Sequence, residues 1–457
     1  MVSENKSLIK GTAFNPSRIV FVSFLFIILA GSLLLYLPFS AVKPISYIDA
    51  LYTSTSAVCV TGLTVKDTSL DFTLTGQLII LCLIQIGGLG LMMFSLMFLS
   101  LFSKKLSIRD SVLAGEITGQ SKFNYVKDIV KYVILFTIGA ETIGFLLLFS
   151  KFITYYPFKY AAYISVFHSV SAFCNAGFSL FSNNLADFKS DLWINYTVMA
   201  LIITGGVGFV AVFEMQNYFT KRKKSKKKIL ISLHTKITLL TTGILVFTGT
   251  VLIFFFEYNG QLKQFNTIYE KITASTFHSV TCRTAGFNTL NIADLSHSGL
   301  LLSIVLMFIG GSPCSTAGGI KTTTFAVLIM TLATMIKDKE NVEIFKKQIP
   351  KHLINKTLAV VTIYFLIVII STALVLNIEY KSLGNDMFVK VFFETVSAIG
   401  TVGLSMDVTP KLCDVSKIIY ICVMFAGRIG LLSFLIAFVP KEKKILYKLP
   451  EEKVLIG

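Results

Sequence analysis

The sequence predicts an all-α integral membrane protein: four tandem helix–pore-loop–helix repeats, with eight transmembrane helices and four re-entrant pore helices, around a pseudo-fourfold pore. Of its 457 residues, 54% are hydrophobic and only 15% are charged, whereas a soluble domain has about 25% charged residues. Apolar runs of about 20 residues, long enough to span a bilayer, alternate with apolar segments that are too short to do so.

The eight long runs predict transmembrane helices and fall into four pairs. Between the members of each pair lies a shorter segment, whose length is typical of a re-entrant helix. The first long run exceeds the roughly 7–15 apolar residues of a signal peptide, so we expect it to be retained. The long runs lie near 18–38, 74–102, 128–151, 191–219, 237–256, 299–335, 355–376 and 415–439, and the short segments near 46–58, 160–173, 266–281 and 386–398.

The distribution of basic residues predicts the orientation. Lys and Arg crowd the segments between pairs and the two tails, so both termini are expected on the cytoplasmic side of the cell membrane, and the re-entrant segments enter from outside. The net charge of +17 is dispersed between apolar spans, which argues against a nucleic-acid partner. The basic run KRKKSKKK at 221–228 fits either contact with anionic membrane lipids or a docking site for a cytosolic partner.

These boundaries predict a single transmembrane domain over residues 1–457. Its four repeats cover approximately 18–102, 128–219, 237–335 and 355–439, and a cytoplasmic tail follows at 440–457. The seven cysteines are scattered without a CxxC pair, so neither a zinc site nor a disulfide framework is expected. The sequence holds no nucleophile–base pair or phosphate-binding loop, and no organic cofactor or enzymatic activity is expected.

Each short segment ends in a similar motif, which defines an internal repeat. The motifs read SAVCVTGLT (56–64), SAFCNAGFS (171–179), TCRTAGFNT (281–289) and SAIGTVGLS (397–405). FHSV also occurs twice upstream, at 167–170 and 277–280, and the third copy is one residue shorter between FHSV and its glycine. Two spans plus one re-entrant segment make an even number of crossings, so all four copies point the same way and can surround one pore.

The glycines of these motifs suit a potassium selectivity filter. Backbone carbonyls can replace the water of a dehydrated cation without adding a net charge, and glycine permits the non-helical backbone that turns them toward an axis. Thr401-Val402-Gly403-Leu404 also resembles the start of the potassium-channel filter TVGYG. The alternative is four unrelated helix ends, each capped by a glycine. The predicted filter comprises Val60, Thr61, Gly62, Asn175, Ala176, Gly177, Thr284, Ala285, Gly286, Thr401, Val402 and Gly403.

The second helix of each unit carries a further glycine motif: IGGLG, TGGVG, IGGSP and AGRIG, beginning at 86, 204, 309 and 426. Close helix packing through small residues explains part of this pattern, and a dinucleotide-binding fingerprint lacks its strand–turn–helix context. In the third unit the helix is interrupted by GGSPCSTAGGIKTTT (310–324). Such a break in mid-membrane needs protein or water partners for its backbone.

These motifs together resemble the Trk/Ktr/HKT superfamily of potassium transporters, most closely the membrane subunit of bacterial Ktr systems. The resemblance covers nearly the whole chain and implies that the four glycines determine potassium selectivity. In the first repeat, a serine is associated with sodium-conducting plant members, and Gly62 stands at that place. The resemblance also implies a homodimer with the C-terminal tail at its interface, a cytosolic ring of nucleotide-binding regulatory subunits, and activation by Na⁺.

The resemblance identifies the interruption as an intramembrane loop that obstructs the pore below the filter. We call residues 310–321 the gate loop. A mid-membrane arginine must face the bundle interior or water, and the resemblance implies that Arg428, one place after Gly427, projects into the pore near this loop; an ion pair with Glu141 or another carboxylate is the alternative. The predicted loop residues are Gly310, Gly311, Ser312, Pro313, Cys314, Ser315, Thr316, Ala317, Gly318, Gly319 and Lys321.

Three further side chains are expected near the filter. His168 and His278 lie in corresponding pore helices, and Glu394 takes that place in the fourth; packing or hydrogen bonding behind the filter is the preferred role for the histidines. Two rival functions remain open from the sequence. One is a sodium-conducting member of the same superfamily, and the other is a non-transporting membrane receptor.

Overall fold

The computed structural model describes residues 16–90, 123–222, 231–339, 341–380 and 387–430. Nearly all regular structure in these ranges is helical, which confirms the prediction of a mostly helical protein. The predicted span ends at 91–102 and 431–439, most of the basic run 221–228, and the tail 440–457 lie outside the described residues. The helices are α1 Pro16–Tyr36, α2 Tyr47–Val58, α3 Leu74–Leu89, α4 Phe123–Phe152, α5 Phe158–Cys174, α6 Leu192–Gly206, α7 Phe209–Arg222, α8 Leu233–Glu257, α9 Ile268–Thr281, α10 His297–Phe308, α11 Thr322–Ile336, α12 Lys351–Ile378, α13 Met387–Gly400 and α14 Asp414–Ile429.

Long apolar helices indicate a membrane protein. Within the described ranges, three are long and apolar enough to cross a bilayer: Lys131–Phe152, Leu233–Glu257 and Lys351–Ile378. The predicted span 191–219 is not one straight helix, because α6 and α7 meet at an angle of 97°. The bend lies at Gly208, whose φ of +95° suits glycine. The predicted sixth span is interrupted as expected, between the end of α10 and the start of α11.

Polar caps fix where several helices begin. Ser46, Thr73, Ser232 and Ser296 each accept a hydrogen bond from a backbone N–H in the first turn of α2, α3, α8 and α10, which satisfies a donor that has no partner inside the helix. Thr267 begins α9 with a full capping box. These polar residues directly before apolar runs explain why these five helices start where they do.

The helices pack in a closed cycle around the four short helices α2, α5, α9 and α13. In the first, second and fourth units the short helix packs against both helices of its own unit, as α2 packs against α1 and α3, whereas α9 of the third unit packs mainly against α8. Each short helix also packs against a second helix of a neighbouring unit: α3 with α5, α6 with α9, α10 with α13, and α14 with α2. Because the last contact joins the fourth unit to the first, the four units form a ring.

Glycines permit three of the close contacts between short helices and second helices. A Cβ built on Gly87 would lie 2.0 Å from the Val58 carbonyl oxygen, and Gly205 and Gly427 stand in the same relation to the carbonyls of Phe173 and Ile399. Any side chain at these places would collide with backbone, so the glycine motifs of the second helices are a packing requirement. The third unit differs, because Gly310 faces Gly318 of the gate loop instead.

Candidate ion-conduction site

The chain leaves helical geometry in the same way at the end of all four short helices. We call residues 60–62, 175–177, 284–286 and 401–403 the filter turns. The first residue of each turn has a left-handed backbone and the third is a glycine with positive φ. Left-handed φ values are 56° at Val60, 60° at Asn175, 71° at Thr284 and 49° at Thr401, and the glycine values are 92° at Gly62, 70° at Gly177, 74° at Gly286 and 94° at Gly403.

Such backbone is costly for residues other than glycine. Val60, Thr284 and Thr401 are β-branched, and β-branched residues with positive φ are genuine outliers. Each residue held in a sparsely populated region costs of the order of 1–3 kcal/mol, and such strain clusters at functional sites. Three strained β-branched residues at matching places therefore mark the filter turns as the first candidate for function.

Hydroxyl groups hold each turn to its own helix. Ser56 Oγ accepts from the Gly62 N–H, and Ser397 Oγ accepts from the Gly403 N–H, both at 3.1 Å. In the other two units the hydroxyl donates instead, Ser171 to the Phe178 carbonyl at 2.7 Å and Thr281 to the Phe287 carbonyl at 2.6 Å. Opposite units of the ring therefore differ in how the turn is fixed.

The shorter third motif is accommodated inside its turn. In the other units the residue before the filter glycine donates to a carbonyl five places back, for example Thr61 N to Ser56 O at 2.8 Å. In the third unit Ala285 N donates to Thr281 O at 3.0 Å, four places back. The deletion is absorbed by one tighter hydrogen-bonded turn, and the glycine keeps its conformation.

The four glycines meet in a closed ring. A Cβ built on each glycine would lie less than 3.0 Å from a backbone oxygen of the next unit, which is too close for any side chain to fit. The distances are 2.5 Å from Gly62 to the Ala176 oxygen, 2.9 Å from Gly177 to the Ala285 oxygen, 2.6 Å from Gly286 to the Val402 oxygen and 2.2 Å from Gly403 to the Thr61 oxygen. Each glycine thus faces a carbonyl of the following unit, and the fourth faces the first.

Most oxygens of the filter turns lack a hydrogen-bond donor. All twelve residues are buried, and among the described hydrogen bonds only the carbonyls of Gly177 and Gly286 accept one, both from Asn184 Nδ2. The hydroxyls of Thr61, Thr284 and Thr401 are also buried and find no partner in the described residues. Buried oxygens are almost always paired, so this concentration of unpaired oxygens is chemically suited to a dehydrated cation.

A cavity lies on the side of the ring that faces the segments following the filter turns. It has a volume of about 820 Å³ and is lined by all four filter glycines and by polar residues of the segments that follow them. Asp67, Asp71 and Asp407 contribute carboxylates to it, and Lys66 contributes one ammonium group. A water-filled vestibule with carboxylates can raise the local concentration of cations at the ring.

Buried side chains behind the turns fix the segments that follow them. His168 Nε2 and Ser179 Oγ lie 3.0 Å apart, and His278 Nε2 and Ser303 Oγ lie 2.8 Å apart, in keeping with the predicted hydrogen bonding. Glu394, fully buried, accepts hydrogen bonds from Ser405 and Thr409 hydroxyls and from nearby backbone N–H groups. Glu394 occupies in the fourth repeat the position that His168 occupies in the second, and this correspondence is the sequence feature that predicts a supporting role for both.

Two residues near the ring were not singled out from the sequence. Asn184 bridges the second and third turns, and its own φ is +55°. Arg283 lies buried at the end of α9, and one of its terminal nitrogens donates to the Gly310 carbonyl at 3.3 Å. No local motif predicts either contact, because both join segments that are far apart along the chain.

The gate loop lies on the other side of the ring from the cavity. Its base is closed by the Gly310 N–H, which donates to the Ile320 carbonyl at 2.9 Å. The Ser312 N–H donates to the Gly206 carbonyl at 3.0 Å, and the Thr316 hydroxyl to the Phe173 carbonyl at 3.3 Å. These contacts place the gate loop against the ends of the short helices, directly before the filter turns.

The bend between α6 and α7 belongs to the same contact. Phe209 N donates to the Cys314 carbonyl at 2.9 Å, and a Cβ on Gly208 would lie 2.5 Å from the Pro313 carbonyl oxygen. The second helix of the second unit therefore breaks where the gate loop packs onto its backbone. On the fourth unit, Gly318 lies so close to Thr401 that a Cβ would be 2.0 Å from its hydroxyl oxygen.

Cationic side chains hold carbonyls of the gate loop. Arg428 donates to the carbonyl of Thr316 and also to that of Gly87. Lys321 Nζ donates to the Ala317 carbonyl at 2.6 Å. Among the ion pairs of the described residues none includes Arg428, and Glu141 instead accepts from Gln85 at 2.9 Å. The arginine thus ties the gate loop to the first unit, and the alternative ion pair is absent from these ranges.

Comparison with known proteins places this geometry in a family. The family model TrkH, described as a cation transport protein, matches residues 3–447. The crystal structure of the potassium transporter TrkH from Vibrio parahaemolyticus superposes with a TM-score of 0.71 over 94% of this chain and 86% of that chain. Its sequence identity is 18%, so this similarity concerns the fold.

Curated relatives match over the whole length. Ktr system potassium uptake protein B of Bacillus subtilis (strain 168) is 38% identical, with 100% of both chains covered. The protein of the same name in Vibrio alginolyticus is 38% identical over 96% of this chain and 94% of that one. Potassium/sodium uptake protein NtpJ of Enterococcus hirae is 35% identical, with 97% of both covered.

Proposed function

The chain belongs to the TrkH family of cation transport proteins, and from that premise we propose that it takes up potassium ions across the cell membrane. The ions pass the filter turns, where backbone carbonyls replace their water. The observation that carries the proposal is the ring of buried oxygens without hydrogen-bond donors. The names of the Bacillus and Vibrio relatives support potassium as the ion.

The filter assignment includes all twelve residues of the four turns. Carbonyls bind a cation by their dipoles and add no net charge that would trap it. The short helices direct their partially negative C-terminal ends at the ring, which favours a cation there. The three orphaned threonine hydroxyls offer further oxygen ligands. The helices of each unit keep these oxygens in position around the axis.

Gating is assigned to the gate loop and Arg428. The gate loop supports this role because it packs against the end of α5 at Phe173 and against Thr401 of the fourth filter turn, and because Arg428 links its Thr316 carbonyl to Gly87 of the first unit. An ion leaving the ring on that side meets the gate loop and the positive charge of Arg428. Opening then requires the gate loop to move away from the axis. This movement costs free energy, because the gate loop loses its hydrogen bonds to neighbouring units.

The sodium-conducting alternative has one specific observation in its favour, since the relative NtpJ is named a potassium/sodium uptake protein. In this chain Gly62 keeps its place in the ring, where a side chain would lie 2.5 Å from the Ala176 oxygen. A serine there would displace that carbonyl. We therefore favour potassium as the preferred ion, and Na⁺ as an activator.

Assembly and orientation follow from the family resemblance. We propose that both termini lie in the cytoplasm, that the chain forms a homodimer through its C-terminal tail, and that a cytosolic ring of nucleotide-binding subunits regulates it. The word "system" in the names of two relatives supports a partner subunit. The basic residues around 221–228 suit a surface that attracts either anionic lipids or such a partner.

The deciding experiment is rescue of a bacterium that lacks potassium uptake, grown at low external potassium. We expect the wild-type chain to restore growth and Gly62→Ser to lose the rescue or its preference for potassium over sodium. Failure of the wild type with the regulatory subunit present, together with no cation flux in liposomes, would favour the receptor alternative. Membrane expression of both chains is the control.

A further inference from the structure

Arg283 is a buried cation that the proposed filter and gate do not use. It lies three places before Gly286, where the other three units have Cys59, Cys174 and Gly400. Only 7% of its surface is exposed. The described residues provide no carboxylate partner for it, and its Nε has no hydrogen-bond partner among them. Burying a cation without a carboxylate partner costs stability, which neither a cysteine nor a glycine at this place would do, so the arginine calls for an explanation.

Its contacts point to the base of the gate loop. A terminal nitrogen of Arg283 donates to the Gly310 carbonyl at 3.3 Å, and Thr242 Oγ1 lies 3.5 Å from the same nitrogen. Gly310 is the first residue of the gate loop, and its N–H donates to Ile320 at the other end of the gate loop. The Arg283 guanidinium therefore contacts Gly310, whose hydrogen bond to Ile320 joins the two ends of the gate loop.

The other units make the corresponding connection through backbone. Gly87, Gly205 and Gly427 each press directly on a carbonyl at the end of the short helix of their own unit. In the third unit Gly310 presses on Gly318 instead, because the gate loop begins there. The glycine-to-carbonyl contact of the other units is therefore replaced at this place, and the Arg283 side chain reaches from the end of α9 to Gly310.

We propose that Arg283 is a positioning residue that couples the third filter turn to the base of the gate loop. It sits between Thr284, the first residue of that turn, and Gly310, the first residue of the gate loop. A shift of either segment is transmitted to the other through the guanidinium. The gate loop's role as a gate rests on the proposed function, whereas the positioning of its base by Arg283 does not.

The first test reads the gate loop directly and needs no transport. The exposed cysteines Cys82, Cys413 and Cys422 are replaced by serine, which leaves Cys314 of the gate loop as the most accessible thiol. We expect Arg283→Met to raise the rate of Cys314 modification by a soluble maleimide about fivefold or more, the factor that corresponds to one lost hydrogen bond. Arg283→Lys, which keeps a cationic donor, should bring the rate back toward the parent.

The matched control is Val280→Ala, since the Val280 side chain lines the same small cavity beside Arg283 and the substitution leaves the Val280 carbonyl, which accepts from the Arg283 N–H, in place. An equal increase in Val280→Ala would mean that looser packing alone exposes the gate loop, which overturns the proposal. An unchanged rate in Arg283→Met would overturn it as well. If Arg283→Met does not fold, Arg283→Gln carries the same test with the charge removed and the side chain shortened.

The second test separates coupling from support of the filter. Potassium flux in liposomes is measured with Arg283→Met in the full chain and in a variant that lacks residues 313–317. We expect a several-fold change in the full chain and none in the shortened variant. An equal loss in both would assign Arg283 to the filter turn alone and overturn the coupling. If the parent chain carries no flux while the labelling behaves as expected, the proposed function fails and the positioning stands.

Discussion

The filter turns and the gate loop are both irregular backbone at the centre of the molecule, but they are held in opposite ways. Each filter turn is fixed by hydrogen bonds inside its own unit, as Ser397 fixes Gly403. The gate loop is fixed mainly by other units: Gly206 of the second, Gly87 of the first through Arg428, and the close approach to Thr401 of the fourth.

This difference determines which region responds to a movement between units. Apart from the bond from Asn184 to the Gly286 carbonyl, a filter turn keeps its hydrogen bonds when units shift slightly, because donor and acceptor move together. The gate loop loses hydrogen bonds under the same shift, because its partners belong to different units. Strained backbone persists only where the surrounding structure fixes it firmly. All four filter turns contain such backbone, since the first residue of each has a positive φ. A turn held within its own unit, beside a loop held by several units, is the arrangement that the proposed selective and gated conduction needs.

Gly403→Ala is expected to lower potassium uptake more than any other variant, because it changes a filter turn, which hydrogen bonds within its own unit hold in place. An alanine Cβ would lie 2.2 Å from the Thr61 oxygen, and φ at this position is +94°. A strain of about 1–3 kcal/mol corresponds to a change of roughly 5- to 150-fold in an equilibrium constant. Potassium uptake at low external potassium should fall at least about fivefold, and the preference over sodium should weaken.

Gly243→Ala in α8 is the matched control, since nothing lies within 4 Å of its added Cβ. Uptake with this variant should equal that of the wild type. If both substitutions lowered uptake alike, the loss would reflect general sensitivity of membrane glycines. Normal uptake and selectivity in Gly403→Ala would show that the ring does not select the ion.

Arg428→Ala should change transport less than Gly403→Ala and should change its rate, not its selectivity, because it alters the gate loop, which neighbouring units hold in place. The change removes hydrogen bonds from a cation to the Thr316 and Gly87 carbonyls, and each is worth about 1.5–3 kcal/mol. We expect faster cation flux in liposomes, with the preference for potassium over sodium preserved.

Arg428→Lys distinguishes charge from geometry, since lysine keeps the charge and loses the planar fork that joins two carbonyls. Flux in Arg428→Lys should lie between those of the wild type and Arg428→Ala. Uptake kinetics and gating that stay unaltered in Arg428→Ala would remove the arginine from the gate. A loss of selectivity without a change in flux would assign it to the filter instead.

Much of this organisation could be read from the sequence, because it depends on short-range features. The apolar runs predict the helices, and the four glycine motifs correctly mark places where the backbone turns positive in φ. The assignment of these turns to potassium stays a prediction. The expected interruption of the sixth span is found, with α10 ending at Phe308 and α11 beginning at Thr322.

The features that sequence reasoning missed all depend on contacts between distant segments. The bend at Gly208 follows from the gate loop, which packs on it from about 100 residues away along the chain. The bridge from Asn184 to two filter carbonyls and the reach of Arg283 to Gly310 join different motifs. A repeat alignment predicts what the units share, whereas these contacts arise where the units differ.

Glu394→Gln should have the smallest effect on transport, because Glu394 supports the fourth unit from behind the ring. Its carboxylate accepts hydroxyl hydrogen bonds at 2.5 Å from Ser405 and from Thr409, and N–H bonds from Met406, Val408 and Thr409. Glutamine keeps one acceptor oxygen and turns an NH₂ group toward the remaining donors, which should lower the stability by about 1–3 kcal/mol.

Thermal unfolding in detergent measures this loss, and flux in liposomes shows whether the filter has changed. We expect a lower melting temperature with the preference for potassium nearly intact. His168→Gln is the companion variant in the second unit, where one hydroxyl contact is at stake, and its loss of stability should be smaller. An unchanged melting temperature with a collapsed preference for potassium in Glu394→Gln would mean that this carboxylate acts on the ion and not on the segment behind it. The Glu394 carboxylate would then have to be counted with the filter turns, and ion selectivity would depend on a charged group as well as on backbone carbonyls.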